Sequence, residues 1–149
     1  MNSVKGIQTW ATAAEAHALP APVLVGRLMK QVSRAAAEAE LHGLRSVHFR
    51  LLAELSEQGI RVSELAERVG MTKQSCGEFV KTLTAGGHVE VRTPPDDRRS
   101  RLITRTATGD RDLALFEELI AALEASWATE VGARRYATFR RVLVELVTG

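Results

Sequence analysis

The chain concentrates arginine in one short stretch that could bind phosphate. Residues 92–105 contain five arginines against two aspartates, a local charge of +3, around a Pro-Pro-Asp-Asp turn at 94–97. Guanidinium groups on a hairpin suit the phosphates and the narrow minor groove of duplex DNA. We expect Asp97 to hold Arg99 by a fork-like pair. A charged hairpin that only blocks aggregation through a strand edge is the alternative. The candidate contact residues are Asp97, Arg98, Arg99 and Arg101.

A second polar group begins at residue 72. Gln74 can pair with both hydrogen-bonding atoms of an adenine edge, and lysines can reach guanine or phosphate. Gly77 would let the backbone approach closely, whereas Glu78 would repel phosphate unless it pairs with Lys81. Because any surface helix has a solvated polar face, that plainer interpretation stays open. The candidate contact residues are Thr72, Lys73, Gln74, Ser75, Gly77 and Lys81.

The spacing of apolar residues indicates which elements position these two groups. A helix that Thr72 opens would bury Cys76, Phe79, Val80 and Leu83 on one face. Helix, turn, helix and basic hairpin, in this order, are typical of a winged helix-turn-helix, which sets one helix in the major groove of double-stranded DNA. The other predicted elements are a short helix at 62–69 with Ser63 as N-cap, and strands at 88–92 and 98–105.

Amphipathic helices flank this centre on both sides. We expect one from about Pro20 to Gly43, one over 44–55, and two more that begin after Thr108 and Gly132. The end helices have more apolar surface than a small winged domain can cover, which favours a two-fold homodimer. The residues expected at the dimer interface are Leu24, Leu28, Phe116, Leu119, Leu123, Trp127, Tyr136, Phe139, Leu143 and Leu146.

The predicted fold class is mainly α (α+β): a winged helix-turn-helix whose long N- and C-terminal helices form a dimerisation region. Three segments follow: an arm and dimerisation helix at 1–43, a DNA-binding domain at 44–106, and dimerisation helices at 107–149. The first 19 residues carry weak signals and could form a short helix or an arm.

Composition excludes several classes of protein. Hydrophobic residues make up 45% and charged residues 26%, which is ordinary for a globular domain, and a single cysteine excludes an intrachain disulfide. There is no phosphate-binding glycine loop, metal-ligand spacing or nucleophile motif, so we expect no enzyme, metal or cofactor. Neither a signal peptide nor a membrane span is expected, which makes the cytoplasm the expected location.

At this point the sequence resembles the MarR family of winged-helix transcriptional regulators. The resemblance covers roughly residues 22–147, and its most specific part is the hairpin with the Thr and Gly that follow it. It implies a triangular homodimer that binds a pseudo-palindromic operator, usually as a repressor. The stretches that carry it are Ser63 to Gly70, Thr72 to Ser75, Asp97 to Ile103, and Thr106 to Gly109.

The resemblance also assigns site residues. The Asp-x-Arg motif of the family's hairpin, called the wing, matches Asp97 and Arg99, and the contacts of its recognition helix match 72–75. Three positions depart from the family pattern. Arg105 replaces an apolar strand residue, His88 replaces an aromatic residue or leucine, and Arg45-Ser46 replaces the usual turn.

Many members of the family release DNA when a small aromatic or phenolic acid fills a pocket between the winged domain and the dimer helices. The pocket residues that this implies are Met29, His42, Arg45, His48 and Phe49. His48 also fits a satisfied core histidine, because it lies on an apolar helix face.

Two alternative functions remain open. Cys76 could sense oxidants through its thiol, but it lies on a core face without a second cysteine, which favours a buried structural role. A winged helix can also bind only proteins. That alternative predicts no salt-dependent DNA binding.

Overall fold

The computed structural model describes residues 12–149, and the predictions for residues 1–11 lie outside this range. The mainly helical fold with one small sheet confirms the predicted class. The elements are α1 (Ala13–His17), α2 (Ala21–Glu38), α3 (Ser46–Glu54), α4 (Val62–Val69), α5 (Lys73–Ala85), β1 (Val89–Arg92), β2 (Leu102–Arg105), α6 (Ala107–Val131) and α7 (Ala133–Thr148).

The centre of the molecule is the packing of α3, α4 and α5 on the hairpin. Phe49, Leu52 and Leu65 are completely buried there, together with Leu83 and Ile103. Burying each such side chain stabilises the fold by about 1.5–3 kcal/mol. This core fixes the orientation of α5 relative to α4, and therefore the face of α5 that remains in solvent.

The turn between α4 and α5 follows from two residues. Gly70 ends α4 with φ of 69°, a left-handed conformation that glycine adopts without a Cβ clash. The Thr72 hydroxyl then accepts a hydrogen bond of 3.1 Å from the Ser75 amide, which confirms Thr72 as the N-cap of α5.

Two other predicted N-caps are wrong. Helix α4 begins directly after Arg61, so Ser63 lies inside it. The extended chain before it is held by a bridge between Ile60 and Ile103, and the helix starts as soon as that bridge ends. Helix α6 is capped by Thr106 and not by Thr108, since the Thr106 hydroxyl accepts from the Gly109 amide at 3.2 Å.

The hairpin is shorter than predicted. Strands β1 and β2 are antiparallel, with Val89 opposite Arg105 and Arg92 opposite Leu102. The stretch expected to open the return strand instead forms a turn, in which the Ser100 amide donates to the Asp97 carbonyl at 3.0 Å. The arginines at 98, 99 and 101 are therefore at the tip of the wing and not along a strand.

The α2–α3 connection also differs from the expected one. Helix α2 ends at Glu38 and not near Gly43, because the backbone then enters the left-handed region at Glu40 (φ 48°), His42 (φ 49°) and Gly43 (φ 72°). Helix α3 begins only at Ser46. The two helices are therefore separated by a tightly turned segment that packs near α6.

The end helices form a layer beside the winged centre. The Trp127 indole of α6 donates to the Gln31 side chain of α2 at 3.0 Å, and the Tyr136 hydroxyl of α7 donates to Glu124 at 2.7 Å. These bonds join α2, α6 and α7 into one unit. No helix in the described part of the chain is long and apolar enough to cross a membrane.

Candidate nucleic-acid interface

Helix α5 has the two faces that its sequence predicts. Cys76, Val80 and Leu83 are buried in the core that α5 shares with α3, α4 and the hairpin, whereas the polar residues at its start are exposed. The structure therefore brings Lys73, Gln74 and Ser75 together on the solvent side. Their donors and acceptors are positioned at the end of the helix that recognition helices direct toward base edges.

Three of the candidate residues on α5 or at its N-cap already make side-chain contacts within the free protein: Thr72, Ser75 and Lys81. The Thr72 hydroxyl caps the helix and bonds the Ser75 hydroxyl at 3.0 Å, so its capacity for a further contact is reduced. The Lys81 ammonium pairs with Glu78 at 2.7 Å, the arrangement under which Glu78 would not oppose DNA binding. Both of those side chains are exposed, so this pair adds little to stability.

Gly77 has open space where a side chain would be. A Cβ built at Gly77 would meet no atom within 4 Å. Its backbone therefore requires no glycine for the fold. Any requirement for glycine at this position would come from a molecule that approaches the helix.

The wing tip is held by Arg61, and the expected pair between the Asp97 and Arg99 side chains is wrong. Asp97 instead accepts a hydrogen bond from the Arg99 backbone amide at 3.1 Å, and its other oxygen lies 3.4 Å from the Arg61 guanidinium. Arg61 Nε donates to the hydroxyl of Ser100, which is 6% exposed, at 2.9 Å. The Arg99 side chain is therefore left exposed.

The charge at Asp97 is stabilised by this network. Hydrogen bonds from the Ser100 hydroxyl and the Arg99 amide lower the pKa of the Asp97 carboxyl, and the Arg61 charge contributes in the same direction. Asp97 is ionised near neutral pH, so its role is to orient the turn and not to approach a phosphate.

A cleft of about 510 Å³ opens between the wing tip and the starts of α4 and α5. Four basic side chains surround it against a single carboxylate, so its field is positive. A cleft of this kind suits a phosphodiester, which accepts several charge-assisted hydrogen bonds. The residues that line this basic cleft are Arg61, Val62, Ser63, Lys73, Asp97, Arg99, Ser100 and Arg101.

Sequence reasoning missed Arg61 because it lies 36 residues before Asp97. The only local signal was a basic residue directly before a short helix, which is also common on ordinary surfaces. The isolated bridge from Ile60 to Ile103 brings Arg61 to the wing, and that pairing has no local signature.

The five candidate pocket residues do not line one cavity. Met29 and Arg45 are exposed, His42 lies in the α2–α3 turn, and Phe49 is completely buried against Phe116, with ring centres 4.2 Å apart. A cavity of about 490 Å³ does lie beside this turn, but Arg45 is the only candidate among its lining residues. They are Ala36, Ala37, Glu40, Gly43, Leu44 and Arg45.

His48 is a satisfied core histidine. Its Nδ1 accepts from the Arg45 amide at 2.9 Å, and its ring meets Phe79 edge-on at 5.4 Å. Burial, followed by the Arg45 charge, lowers the pKa of His48. The neutral ring therefore has a structural role at the start of α3.

Cys76 has no exposed surface, and burial raises the pKa of its thiol. A thiol that stays protonated reacts slowly with oxidants. This environment favours the structural interpretation of Cys76 over redox sensing.

Two of the residues that depart from the family pattern, Arg105 and His88, make polar contacts with other elements of the chain. The Arg105 guanidinium donates to the Leu52 carbonyl at 2.7 Å and to that of Leu55, at the end of α3, and pairs with Asp110 at 2.7 Å. It therefore bonds carbonyls at the C-terminal end of α3, where the Leu52 carbonyl also accepts from the Leu55 amide at 3.2 Å. His88 is buried, with its Nδ1 2.6 Å from the Asp112 carboxylate.

Comparisons with known proteins match this architecture. Residues 42–100 match the model of the MarR family. An uncharacterized protein of Mycobacterium tuberculosis, Rv2011c, is 31% identical over 80 residues, which cover 54% of this chain. The chain matches only 56% of the length of that relative.

Solved structures extend the similarity to most of the chain. The reduced form of MarR from E. coli covers 86% of this chain and 96% of its own, with a TM-score of 0.76 and 19% identity, which shows the fold alone. The Mycobacterium tuberculosis MarR family protein Rv2887, in complex with DNA, is 26% identical with a TM-score of 0.68, and covers 86% of this chain and 98% of its own. The MarR family and its solved members are transcription regulators and not enzymes, as the sequence predicts. The matched segment and the shared architecture together support a winged helix-turn-helix similar to that of the MarR family.

Proposed function

We propose that this protein is a sequence-specific, DNA-binding transcriptional regulator that acts as a repressor on a pseudo-palindromic operator. The observation that carries the proposal is the basic cleft beside the exposed start of α5. Helix α5 offers side chains that can hydrogen-bond to base edges. The basic cleft beside it offers positive charge for the DNA phosphates that flank those bases.

The dimensions of these elements support such a division of roles. The major groove of B-DNA is about 12 Å wide and admits one α-helix. With α5 in that groove, Lys73 and Gln74 would face base edges. The arginines of the wing tip would lie over the phosphates or the minor groove beside it. Rv2887, the MarR family protein solved with DNA, supports double-stranded DNA as the partner.

A homodimer is part of the proposal because the end helices expose apolar side chains. On α7, Leu146 is 74% and Val147 80% exposed, and Leu24 and Phe139 are exposed as well. Soluble monomers rarely expose contiguous apolar patches of this kind. Phe116 and Trp127, in contrast, pack or bond within the chain, so their expected roles at the dimer interface are weaker.

The remaining residues proposed for the dimer interface lie on the same helices and keep some exposure. They are Leu28, Leu119, Leu123, Tyr136 and Leu143. A two-fold pair would present two α5 helices, which suits an inverted repeat with half-sites about one helical turn apart.

We also propose a small aromatic or phenolic effector, which would bind at a different site from the pocket predicted from the sequence. The cavity beside the α2–α3 turn has a volume typical of sites for small ligands, and Arg45 at its edge could pair with a carboxylate. This cavity replaces the five-residue pocket expected from the sequence. A cytoplasmic location belongs to the same proposal.

The test is selection from a random duplex DNA library with the purified full chain, at low and at moderate salt. An inverted repeat with half-sites about one helical turn apart, bound less tightly as salt rises, is the expected result. Recovery of no sequence above background at low salt would contradict DNA binding. It would leave the winged helix as a protein-binding module, with the arginines only protecting a strand edge.

A further inference from the structure

Asp112 of α6 is a buried carboxylate that contacts two histidines from two other parts of the chain. It is 1% exposed. One oxygen lies 2.7 Å from Nδ1 of His42 in the α2–α3 turn, and the other lies 2.6 Å from Nδ1 of His88 at the base of the wing. Burying a carboxylate is costly unless it is paired and hydrogen-bonded, so these contacts are required for Asp112 to be tolerated as an ion.

The two contacts differ in geometry. The His42 contact is a hydrogen bond, whereas His88 Nδ1 and its Asp112 oxygen are poorly aligned for one and have no other hydrogen-bond partner among the described residues. Attraction between opposite charges depends less on angle than a hydrogen bond does. The His88 contact therefore stabilises the fold mainly when the histidine is protonated.

His88 lies where α6 docks on the wing. The Thr106 amide donates to the His88 carbonyl at 3.1 Å, and the Thr106 hydroxyl donates to the Gly87 carbonyl at 2.6 Å. A Cβ at Gly109 would lie 2.1 Å from the His88 carbonyl oxygen, so α6 approaches the wing as closely as glycine permits. The position of the wing is therefore set directly by the first turns of α6.

His42 connects the same carboxylate to a strained turn. A non-glycine residue with positive φ is uncommon, and both Glu40 and His42 adopt this conformation. The His42 side chain is 65% exposed. Its bond to Asp112 is a polar contact between the turn and α6.

We propose that Asp112 is a positioning residue for DNA binding, and that the His42–Asp112–His88 bridge is a proton-dependent clamp between α6, the α2–α3 turn and the wing. This inference rests on the proposed DNA-binding function. The bridge contacts no DNA itself; it determines the fraction of molecules whose wing is placed correctly, and the apparent affinity scales with that fraction.

The direction of the pH effect follows from the charges. As the pH falls from 8 to 5.5, histidines gain protons, and a charge-assisted bond is roughly twice as strong as a neutral one. The clamp therefore tightens toward acid pH and loosens toward alkaline pH. Other charged or titratable groups on the elements around it include Glu40 and Arg45 in the turn, His48 on α3, Glu90 and Arg105 on the strands, and Asp110 and Arg111 on α6; Arg105 and Asp110 pair with each other.

The experiment measures binding of the full chain to its selected duplex at several pH values from 5.5 to 8, at constant ionic strength. We expect wild-type affinity to fall roughly 5- to 30-fold across this range. Asp112→Asn should bind more weakly at pH 6 and show a much flatter profile. His42→Gln, which alters an exposed side chain, should show an intermediate profile. His17→Gln, at an exposed histidine of α1, is the matched control and should keep the wild-type profile.

Melting of the DNA-free proteins over the same pH range gives a second readout. The difference in Tm between wild type and each bridge variant should grow toward acid pH. The proposal would be overturned if wild type and the bridge variants showed the same pH profile of affinity, or if the Tm difference between them did not change with pH. If Asp112→Asn does not fold, His42→Gln still decides the outcome. If wild type binds no duplex at any pH, the proposed function fails, and the melting data still test the bridge.

Discussion

Arg61 donates from Nε to the Ser100 hydroxyl at 2.9 Å, and so joins the start of α4 to the tip of the wing. Ser100 is buried under this contact, while the neighbouring arginines remain exposed. The side chain that fixes the wing is therefore different from the side chains that are free to meet a ligand. This separation of roles can be tested by mutation.

Replacing Arg61 should weaken DNA binding without changing its salt dependence. Arg61→Ala removes the bonds to Ser100 and Asp97, so the wing samples other positions, and we expect a loss of roughly two- to tenfold in affinity. Kd measured at several salt concentrations would check this. The matched control is Arg99→Ala, which should lower the slope of log affinity against log salt by about 0.9 for one lost phosphate contact. An equal fall in slope for Arg61→Ala would mean that Arg61 itself binds phosphate.

Replacing Gln74 should change which base is preferred, with little change in salt dependence. Gln74 is exposed at the start of α5, and loss of a bidentate pair with adenine costs about 1–3 kcal/mol of discrimination. Repeating the DNA selection with Gln74→Ala should relax one position in each half-site. A preference that stays the same at every position would remove Gln74 from the recognition surface.

Replacing Arg105 should destabilise the fold. Arg105→Met keeps a long apolar stem but removes the side-chain donor to the Leu55 carbonyl and one of the two donors to the Leu52 carbonyl, which we expect to cost about 1–3 kcal/mol of unfolding free energy. Urea denaturation would measure the loss. Arg111→Met, at an exposed arginine of α6, is the control and should change stability by less than about 0.5 kcal/mol. Equal stability of the two variants would contradict the assigned role of Arg105.

The Tyr136–Glu124 bond should make stability depend on pH in the alkaline range. Burial and the hydrogen bond to Glu124 raise the pKa of Tyr136 from the ordinary 10 to about 12. A raised pKa in the folded state contributes stability that is fully present below pH 10 and is lost as the pH rises toward 12. The Tm values of wild type and Tyr136→Phe, each plotted against pH, should therefore converge over this window. A difference in Tm that stays constant with pH would show that the bond has no such effect.

The elements could be predicted from the sequence because their signals are local. Apolar spacing at 76, 79, 80 and 83 indicated which face of α5 is buried, and the hydroxyl of Thr72 indicated where that helix begins. The predicted ends were less accurate. Thr106 and Thr108 are equally plausible caps by type, and the docking of α6 on the wing decided between them.

The sequence by itself determined the order of the elements, the exposed polar face of α5 and the concentration of arginine on the wing. Each of these depends on residues a few positions apart, where helix and strand geometry fix which side chains are neighbours. Tertiary structure alone decided the partners of Arg61, Arg105 and Asp112. These pairs span 36, 53 and 70 residues, to Asp97, Leu52 and His42 respectively. They form only when packing brings separate elements together, and no local periodicity specifies that arrangement.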